Sequence, residues 1–426
     1  MRLIVVWLSS FILVCAENID ENPKRYLLYD CNPGEGFNLR RDVYIRMSNL
    51  VKALRDDGKK DQNWVLVLPP WGRIRYHWDE EEMEESKIAW KSFFNVESLS
   101  YHVPVMEYED YVEEIGEPKV DEIWYLQRFK EGWKDGKFEE KIHERECNDP
   151  AVYESDNEGK IRGWFWGYFE TYATKFKCVS SQGTSKVLIR PLNGGNTTAR
   201  SVFLDRGETV MHEMFGGKNY WDSRRSMVFA KHLRQEAAEI RKKYLDSDDE
   251  RDNTYRPEDW RTPKIEPGTA KGGPYIAAHL RRKDFLYARK EKVPSIENTA
   301  KKLKELMKKY KVSKVFVASD GTKEEMSELK KLVPEVVMYE GTKEREKRLK
   351  KGGVAIVDQI ICSYARYFIG TSESTFSFRI QEEREIMGFD RDTTFNRLCG
   401  DEEGDDCQQP SRWKIAWESD GEIWEK

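Results

Sequence analysis

From residue 275 to residue 387 the chain alternates short apolar runs with helical patterns. YIAAHL is followed by a helical stretch from Ile296 to Tyr310, KVFVAS by one from Lys323 to Leu332, VVMYE by one from Gly353 to Ala365, and YFIGT by one from about Thr375 to Met387. Runs that are apolar at nearly every position, rather than every second one, belong to strands covered on both faces, and such strands run parallel with helical crossovers between them. The pattern predicts a doubly wound α/β unit with right-handed connections.

The amino-terminal part opens the same way. RYLLY (Arg25 to Tyr29) leads through a glycine turn into an amphipathic helix from about Leu39 to Arg55, with Val43, Met47, Leu50, Val51 and Leu54 apolar, and then into WVLVLPPW. Residues from about Arg73 to Tyr220 are aromatic-rich and less periodic, and read as loops, short strands and helices elaborating this unit; a helix from Met227 to Leu245 follows. Next comes DSDDERDNTYRPEDWRTPKIEPGTAKGGP, polar and interrupted by Pro and Gly, which reads as a linker. At about 150 residues per domain, the 426 residues accommodate two Rossmann-like domains, 17–245 and 246–426, with a cleft between them. Ligands in such sheets bind beyond the carboxyl ends of the strands.

Ahead of the first domain, Arg2, the apolar run Leu3 to Val14 and the pair Cys15-Ala16 have the form of a secretory signal peptide, residues 1–16, too short for the roughly 20 residues of a membrane span. The remaining chain is expected to be soluble and lumenal. Acidic residues exceed basic ones by 77 to 72 with both signs interspersed, so there is no basic footprint for nucleic acid. Beyond Cys15 there are six cysteines, Cys31, Cys147, Cys178, Cys362, Cys399 and Cys407, which in an oxidising compartment suggest disulfides, although six allow about 15 pairings. Cys399 with Cys407 and Cys147 with Cys178 are the most local choices, and Cys31 and Cys362 lie in apolar segments. Asn196-Thr197-Thr198 is a glycosylation sequon.

Every stretch with chemical potential falls at a predicted strand end. DCNPGEGFNL (Asp30 to Leu39) occupies the place of a nucleotide-binding glycine loop, but Glu35 would repel a pyrophosphate and Leu39 stands where that fingerprint needs a small residue. Either Glu35 is a turn residue or the loop has another task. HLRRKDF (His279 to Phe285) puts Arg281 and Arg282 just past a strand, where a guanidinium fork can hold phosphate oxygens; a surface ion pair is the plainer reading. GTSESTFSFRI opens a helix with Ser374 and Thr375, either an anion receptor or a serine cap with no ligand. Asp358, in AIVDQ, can accept both N1–H and N2–H of guanine, or cap a helix. None of the six histidines stands in H-E-x-x-H, and there is no G-x-S-x-G elbow. Asp390-Arg391-Asp392 matches the D-x-D of metal-dependent transferases, a short pattern in a carboxylate-rich chain.

The stretches RYLLYDCNPGEGFNLRRDVYIR, HLRRKDF and IGTSESTFSFRIQEERE resemble the GDP-fucose protein O-fucosyltransferases, and within them the type 2 branch that acts on thrombospondin type 1 repeats. HLRRKDF also fits the broader fucosyltransferase pattern H-x-R-R-x-D through His279, Arg281, Arg282 and Asp284. The resemblance runs from about Pro23 to the last cysteine pair. It implies a GT-B glycosyltransferase fold, GDP-fucose as donor substrate, no cofactor, no obligatory metal, and inversion at the sugar carbon. It implies Ser or Thr of folded, disulfide-bonded thrombospondin repeats as acceptor and the endoplasmic-reticulum lumen as location, although the tail GEIWEK is not a retention signal.

Carried over by position, the resemblance makes Glu35 the catalytic base, with Gly34, Gly36, Phe37 and Asn38 its surrounding loop and donor-binding residues. Arg281 becomes a catalytic residue in the GDP-binding stretch with His279 and Leu280, while Asp358, Thr375 and Phe376, beside Ser374, become further donor contacts. Glu383 matches a glutamate needed for activity, and the bridges Cys147–Cys178 and Cys399–Cys407 agree with the family's; Cys31 departs from the pattern. Diphosphate is then expected on Arg281 and the Ser374 to Phe376 turn, across the cleft from Glu35, whose carboxyl at an ordinary pKa of about 4.3 is ionised near neutrality. The competing readings are the same donor with another acceptor, such as an EGF-like repeat, and a lumenal repeat-binding protein without chemistry. Acceptor contacts are expected in the aromatic-rich insertions.

Overall fold

The computed structural model describes residues 23–57, 63–72, 87–132, 138–149, 152–195, 197–339, 342–404, 407–409, 416–418 and 420. The expected signal peptide (1–16) and the sequon asparagine, Asn196, lie outside the described residues. Two sheets organise the rest. The first has a parallel centre in the order Val105–Glu107, Trp64–Leu68, Arg25–Tyr29, Ser201–Asp205, Lys119–Gln127, Tyr172–Gln182. Antiparallel pieces extend it: Lys141–Arg145 and Ile161–Arg162 pair with Tyr172–Gln182, and Glu154–Ser155 with Ile161–Arg162. The second sheet is wholly parallel, in the order Val336–Val337, Val315–Ser319, Gly273–Leu280, Ala365–Thr371, Asn396–Leu398.

The predicted alternation in the carboxy-terminal half therefore exists, and a fifth strand, Asn396–Leu398, lies beyond it. The aromatic-rich stretch departs from expectation. It contains the two longest strands of the first sheet, Lys119–Gln127 and Tyr172–Gln182, in which Lys119, Asp121, Lys175 and Lys177 at partly exposed or exposed positions interrupt the apolar pattern. The helix expected from Met227 starts at Lys231 instead. Val228 O accepts from Asn95 N–H and Ala230 N–H donates to Phe93 O, so the buried, β-prone residues Met227 to Phe229 are extended against another segment. The helix expected at Gly353 begins at Lys343, with a break at Lys350, and ends at Ser363.

One large core runs through both halves and includes Trp71, Trp90, Phe93 and Phe94 on one side and Leu349, Ile356 and Ile360 on the other. Helix Lys231–Tyr244 packs on helix Lys343–Ser363. Gly353 faces that contact, where a Cβ would lie 3.1 Å from Leu233 Cδ2, and Gly352 makes room for Phe93, whose Cζ would lie 2.6 Å from a Cβ there. The polar segment after Leu245, expected as a linker, is pinned to the fold. Arg256 is buried, Trp260 Nε1 donates to Ser98 O at 3.1 Å, and Asp252 O receives the N–H groups of Lys271 and Gly272. Its polarity serves both ends: Asp252, Thr254 and Arg256 are buried and bonded inward, while 261–264 and 266–269 are exposed.

Candidate active site

At the carboxyl end of Gly273–Leu280, His279 lies opposite Gly370 of the neighbouring strand. Its Nδ1 is 2.9 Å from Ser377 Oγ and its ring stacks on Phe376 with centroids 4.3 Å apart. Burial, reinforced by the Arg281 charge, pushes the imidazole down to about 3, so His279 is neutral. A Cβ on Gly370 would fall 2.4 Å from Ser377 Oγ, so only glycine lets helix Thr375–Ile386 come this close. Leu280 sends its side chain into the core of the second sheet, and its carbonyl accepts from Ser319 Oγ at 2.8 Å.

The two arginines part company. Arg282 is buried and structural, bonded to Glu325 Oε1 at 2.8 Å and Pro294 O at 2.7 Å. Arg281 stays partly exposed: Nη1 is 2.5 Å from Asp320 Oδ2 and Nη2 is 2.7 Å from Asp284 Oδ1. Its N–H donates to Thr371 Oγ1 at 2.8 Å, and that hydroxyl donates to His279 O at 3.1 Å, which locks the two strand ends together. Asp320 also accepts from Arg282 N–H at 2.6 Å. The sequence reading passed over Asp320, although it stands at the end of KVFVAS and the same strand-end rule would have found it.

The turn between strand Ala365–Thr371 and helix Thr375–Ile386 carries Glu373 in the left-handed region, φ 59°, its carboxylate held by Arg289 and Lys292. Ser374 occupies the N-cap position, but its side chain makes no capping hydrogen bond. Ser372 Oγ is buried without a partner among the described residues. The first N–H groups of this twelve-residue helix, including those of Thr375 and Phe376, have no helical acceptors by geometry. Asp358 lies inside helix Lys343–Ser363, which removes the capping alternative. Its Oδ1 is buried without a hydrogen-bond partner among the described residues, and burial raises the carboxyl to about 8.

On the other half, Glu35 follows strand Arg25–Tyr29 in a loop braced at several points. Glu35 N–H donates to Asn32 O at 2.9 Å, Gly34 N–H to Asn32 Oδ1 at 3.2 Å, and Arg40 Nε to Glu35 O at 3.1 Å. The Glu35 carboxylate is half-buried and has no hydrogen bond or ion pair among the described residues. Burial first, then the charge of Glu208, raises its pKa above the ordinary value, against Arg40 and Arg46. Gly36 is the N-cap of helix Phe37–Asp56. Phe37 points into the core, 4.7 Å from Trp71 and 5.6 Å from Phe93, so its side chain does not face a ligand. Asn38 Oδ1 accepts from Gln359 Nε2 at 2.9 Å and Arg41 Nη1 at 3.2 Å, and Arg41 Nη1 also donates to Gln359 Oε1 at 2.8 Å.

Glu383 belongs to a buried ion-pair network. Its oxygens receive Arg256 Nε at 2.7 Å and Arg224 Nη2 at 2.9 Å; Arg224 and Arg379 both pair with Glu382; and Arg379 Nη2 lies 3.4 Å from Asp42 Oδ1. Asp42 in turn meets Arg46 at 2.5 Å and His212 Nε2 at 3.1 Å. Burial favours the neutral form of Glu383, but the Arg256 and Arg224 guanidiniums outweigh it and hold the carboxyl down at about 2. Nothing local in the sequence signals this network.

Two disulfides, Cys147–Cys178 and Cys399–Cys407, are formed, and Cys31 and Cys362 are buried free thiols. Asp390, first of the D-x-D pair, is the N-cap residue of the short helix Arg391–Thr394. Of the aromatic stretch WFWGYF, Phe165, Trp166 and Tyr168 are core, while Phe169 is 72% exposed and lies edge-on to Trp164. Among the described residues no helix is long and apolar enough to cross a membrane.

Comparison with known proteins matches residues 26–387 to the family model for GDP-fucose protein O-fucosyltransferase. The human protein called GDP-fucose protein O-fucosyltransferase 2 is 52% identical over 394 residues, which cover 92% of this chain and 90% of the relative. The Caenorhabditis elegans protein of the same name is 46% identical over 398 residues, 92% and 91% of the two chains. Among solved structures, POFUT1 in complex with GDP superposes with a TM-score of 0.57 at 15% identity, over 88% of this chain and 98% of that one. POFUT1 in complex with GDP-fucose gives 0.57 at 14% identity, over 89% and 99%. At such identities the likeness speaks for the fold alone, the GT-B arrangement of two Rossmann-like sheets.

Proposed function

The chain belongs to the GDP-fucose protein O-fucosyltransferase family and is a fucosyltransferase, and from that premise we propose inverting transfer of fucose from GDP-fucose to a Ser or Thr hydroxyl of folded thrombospondin type 1 repeats. The observation that carries the mechanism is Glu35: a half-buried carboxylate without a partner among the described residues, at a strand's carboxyl end, on the half of the chain opposite the Arg281 and Ser374 elements. The full-length identity with the type 2 proteins supports the acceptor class. We assign residues 17–245 to the acceptor and base and residues 246–426 to the donor.

In this reading Glu35 takes the proton of the acceptor hydroxyl as its oxygen attacks the fucose anomeric carbon from the face opposite GDP. The bond from that carbon to the diphosphate breaks, and its electron pair leaves with GDP. A raised proton affinity makes Glu35 a better base than a solvated glutamate. Arg281 exchanges its contacts with Asp320 and Asp284 for the diphosphate, where a guanidinium stabilises charge growing on the departing oxygen. The N–H groups and hydroxyls of Ser374, Thr375 and Phe376 hold phosphate oxygens at the helix N-terminus, and neutral His279 orients Phe376 by stacking. Asp358 receives the guanine N1–H and N2–H. Gly34, Gly36 and Asn38 shape the base loop, and Leu280 seats the strand end from the core side. Glu383 acts as a positioning residue through Arg224 and Arg256. Leaving-group charge is thus assigned to Arg281 and backbone N–H groups, with no obligatory metal. The two disulfides support residence in an oxidising compartment, which we take to be the endoplasmic-reticulum lumen.

The test is GDP release from purified protein, GDP-fucose and a folded thrombospondin repeat. Wild type turns over and Glu35→Ala stays near background; equal turnover by both removes Glu35 as base. Turnover with an EGF-like repeat but not a thrombospondin repeat reassigns the acceptor.

A further inference from the structure

The loop that carries Glu35 is held from outside its own helix by a residue to which no role is yet assigned. Glu208 sits in the turn Gly207–Thr209 that follows strand Ser201–Asp205, the neighbour of strand Arg25–Tyr29. Its Oε2 accepts from Asn32 N–H at 3.1 Å, and Asn32 is the residue whose carbonyl and side chain receive the N–H groups of Glu35 and Gly34. The two turns are sewn together beside this contact. Gly207 N–H donates to Asp30 O at 2.8 Å, and a Cβ on Gly207 would come within 3.1 Å of Val43 Cγ1 and 3.3 Å of Asp30 O. Arg46, two helical turns past Asn38, donates to Glu208 O at 3.1 Å and Val210 O at 2.8 Å, fixing the Glu208 turn against the helix that Glu35 precedes.

We propose that Glu208 is a positioning residue for Glu35, fastening its loop through Asn32 and placing a second negative charge beside the carboxylate that accepts the acceptor's proton. This rests on the reading of Glu35 as the base. The charged and titratable groups around Glu35 are Glu208, Arg40 and Arg46, with Asp30, 3.6 Å from Arg40, and the thiol of Cys31 next along the loop. Arg40 and Arg46 favour the ionised form of Glu35, and Glu208 opposes them. The result is a base that keeps a higher proton affinity than its two arginine neighbours alone would leave it.

Two substitutions separate the functions of Glu208. Glu208→Gln keeps an acceptor oxygen for Asn32 N–H and removes the charge, so the acidic limb of the kcat/KM profile moves to lower pH. Glu208→Ala also frees the loop, so kcat falls by about tenfold or more through lost alignment. GDP affinity, measured by calorimetry, stays within about twofold of wild type in both, since the diphosphate and guanine contacts proposed above, Arg281, the Ser374 turn and Asp358, lie on the other half. An acidic limb unmoved in Glu208→Gln, or wild-type kcat in Glu208→Ala, overturns the inference while leaving the base reading intact if Glu35→Ala is inactive. Turnover surviving in Glu35→Ala removes the base and this inference with it.

Discussion

Gln359 Nε2 donates a 2.9 Å hydrogen bond to Asn38 Oδ1, so the helix that begins at the Glu35 loop is fastened to the helix that carries Asp358. The same two side chains hold Nη1 of Arg41, a fully buried guanidinium whose Nε and Nη2 have no partner among the described residues. Gln359→Ala leaves that charge with one partner fewer in a low-dielectric site, at a cost of about 1–3 kcal/mol. The expected outcome is a lower Tm and a proportionally lower urea midpoint. An unchanged Tm would show that the contact contributes nothing to holding the halves together.

The Glu383 network makes stability depend on acid. Its folded carboxyl lies at about 2, below the ordinary 4.5, so its contribution is fully present above pH 4.5 and is lost as the pH falls toward 2. The sign follows because the unfolded chain binds the proton first. The depression corresponds to about 3 kcal/mol, and removing the carboxylate altogether leaves Arg224 and Arg256 uncompensated, a cost of about 3–5 kcal/mol. Glu383→Gln is expected to be less stable at pH 7, with a flatter denaturation midpoint between pH 4.5 and 2 than wild type. Parallel curves for the two proteins would exclude Glu383 as the titrating group.

That network also marks where sequence reading stops. QEERE looks like the charged face of a surface helix, yet Gln381, Glu382, Glu383 and Arg384 are all buried. Their burial is stable because the partners of Glu383 arrive from 127 and 159 residues away, a pairing no local pattern encodes. The strand ends were legible for the opposite reason. Apolar runs such as YIAAHL and YFIGT fix a parallel sheet, and the sheet places Arg281 and Ser374 at or just past its carboxyl ends. The strands Lys119–Gln127 and Tyr172–Gln182 were hidden because partly solvated positions in each carry lysine or aspartate, at Lys119, Asp121, Lys175 and Lys177. The attachment of the linker to the fold was hidden because a polar run reads alike whether its groups meet water or protein, and here Arg256 bonds inward to Glu383.

Asp358 predicts proton release on donor binding. Burial alone raises its carboxyl to about 8, so at pH 7 it is mainly protonated before GDP arrives. Two guanine N–H donors favour the carboxylate, so binding expels the proton. Affinity for GDP should therefore weaken as the pH falls below about 8 and level off above it. Calorimetry at pH 7 in buffers of different ionisation enthalpy should report close to one proton released, and Asp358→Asn should bind more weakly with no proton release. Equal heats in all buffers would remove Asp358 from the guanine contact.

Arg281 offers the sharpest chemical test, because its two outer nitrogens already serve different carboxylates, Asp320 at 2.5 Å and Asp284 at 2.7 Å. Lysine keeps the charge but presents a single ammonium, which cannot span both anchors or grip a diphosphate through two parallel bonds. The backbone N–H of the residue still reaches Thr371 Oγ1, so the strand end survives the change. Arg281→Lys should therefore fold with a Tm near wild type and lose about 100-fold or more in kcat, the scale expected when a donor aimed at developing charge is removed. GDP affinity should fall by a smaller factor, because the interaction strengthens as the leaving oxygen gains charge. Single-turnover transfer from GDP-fucose, set beside GDP binding by calorimetry, gives the two factors separately. Equal losses in binding and in kcat/KM, with kcat unchanged, would show that Arg281 binds the donor without acting on its departure.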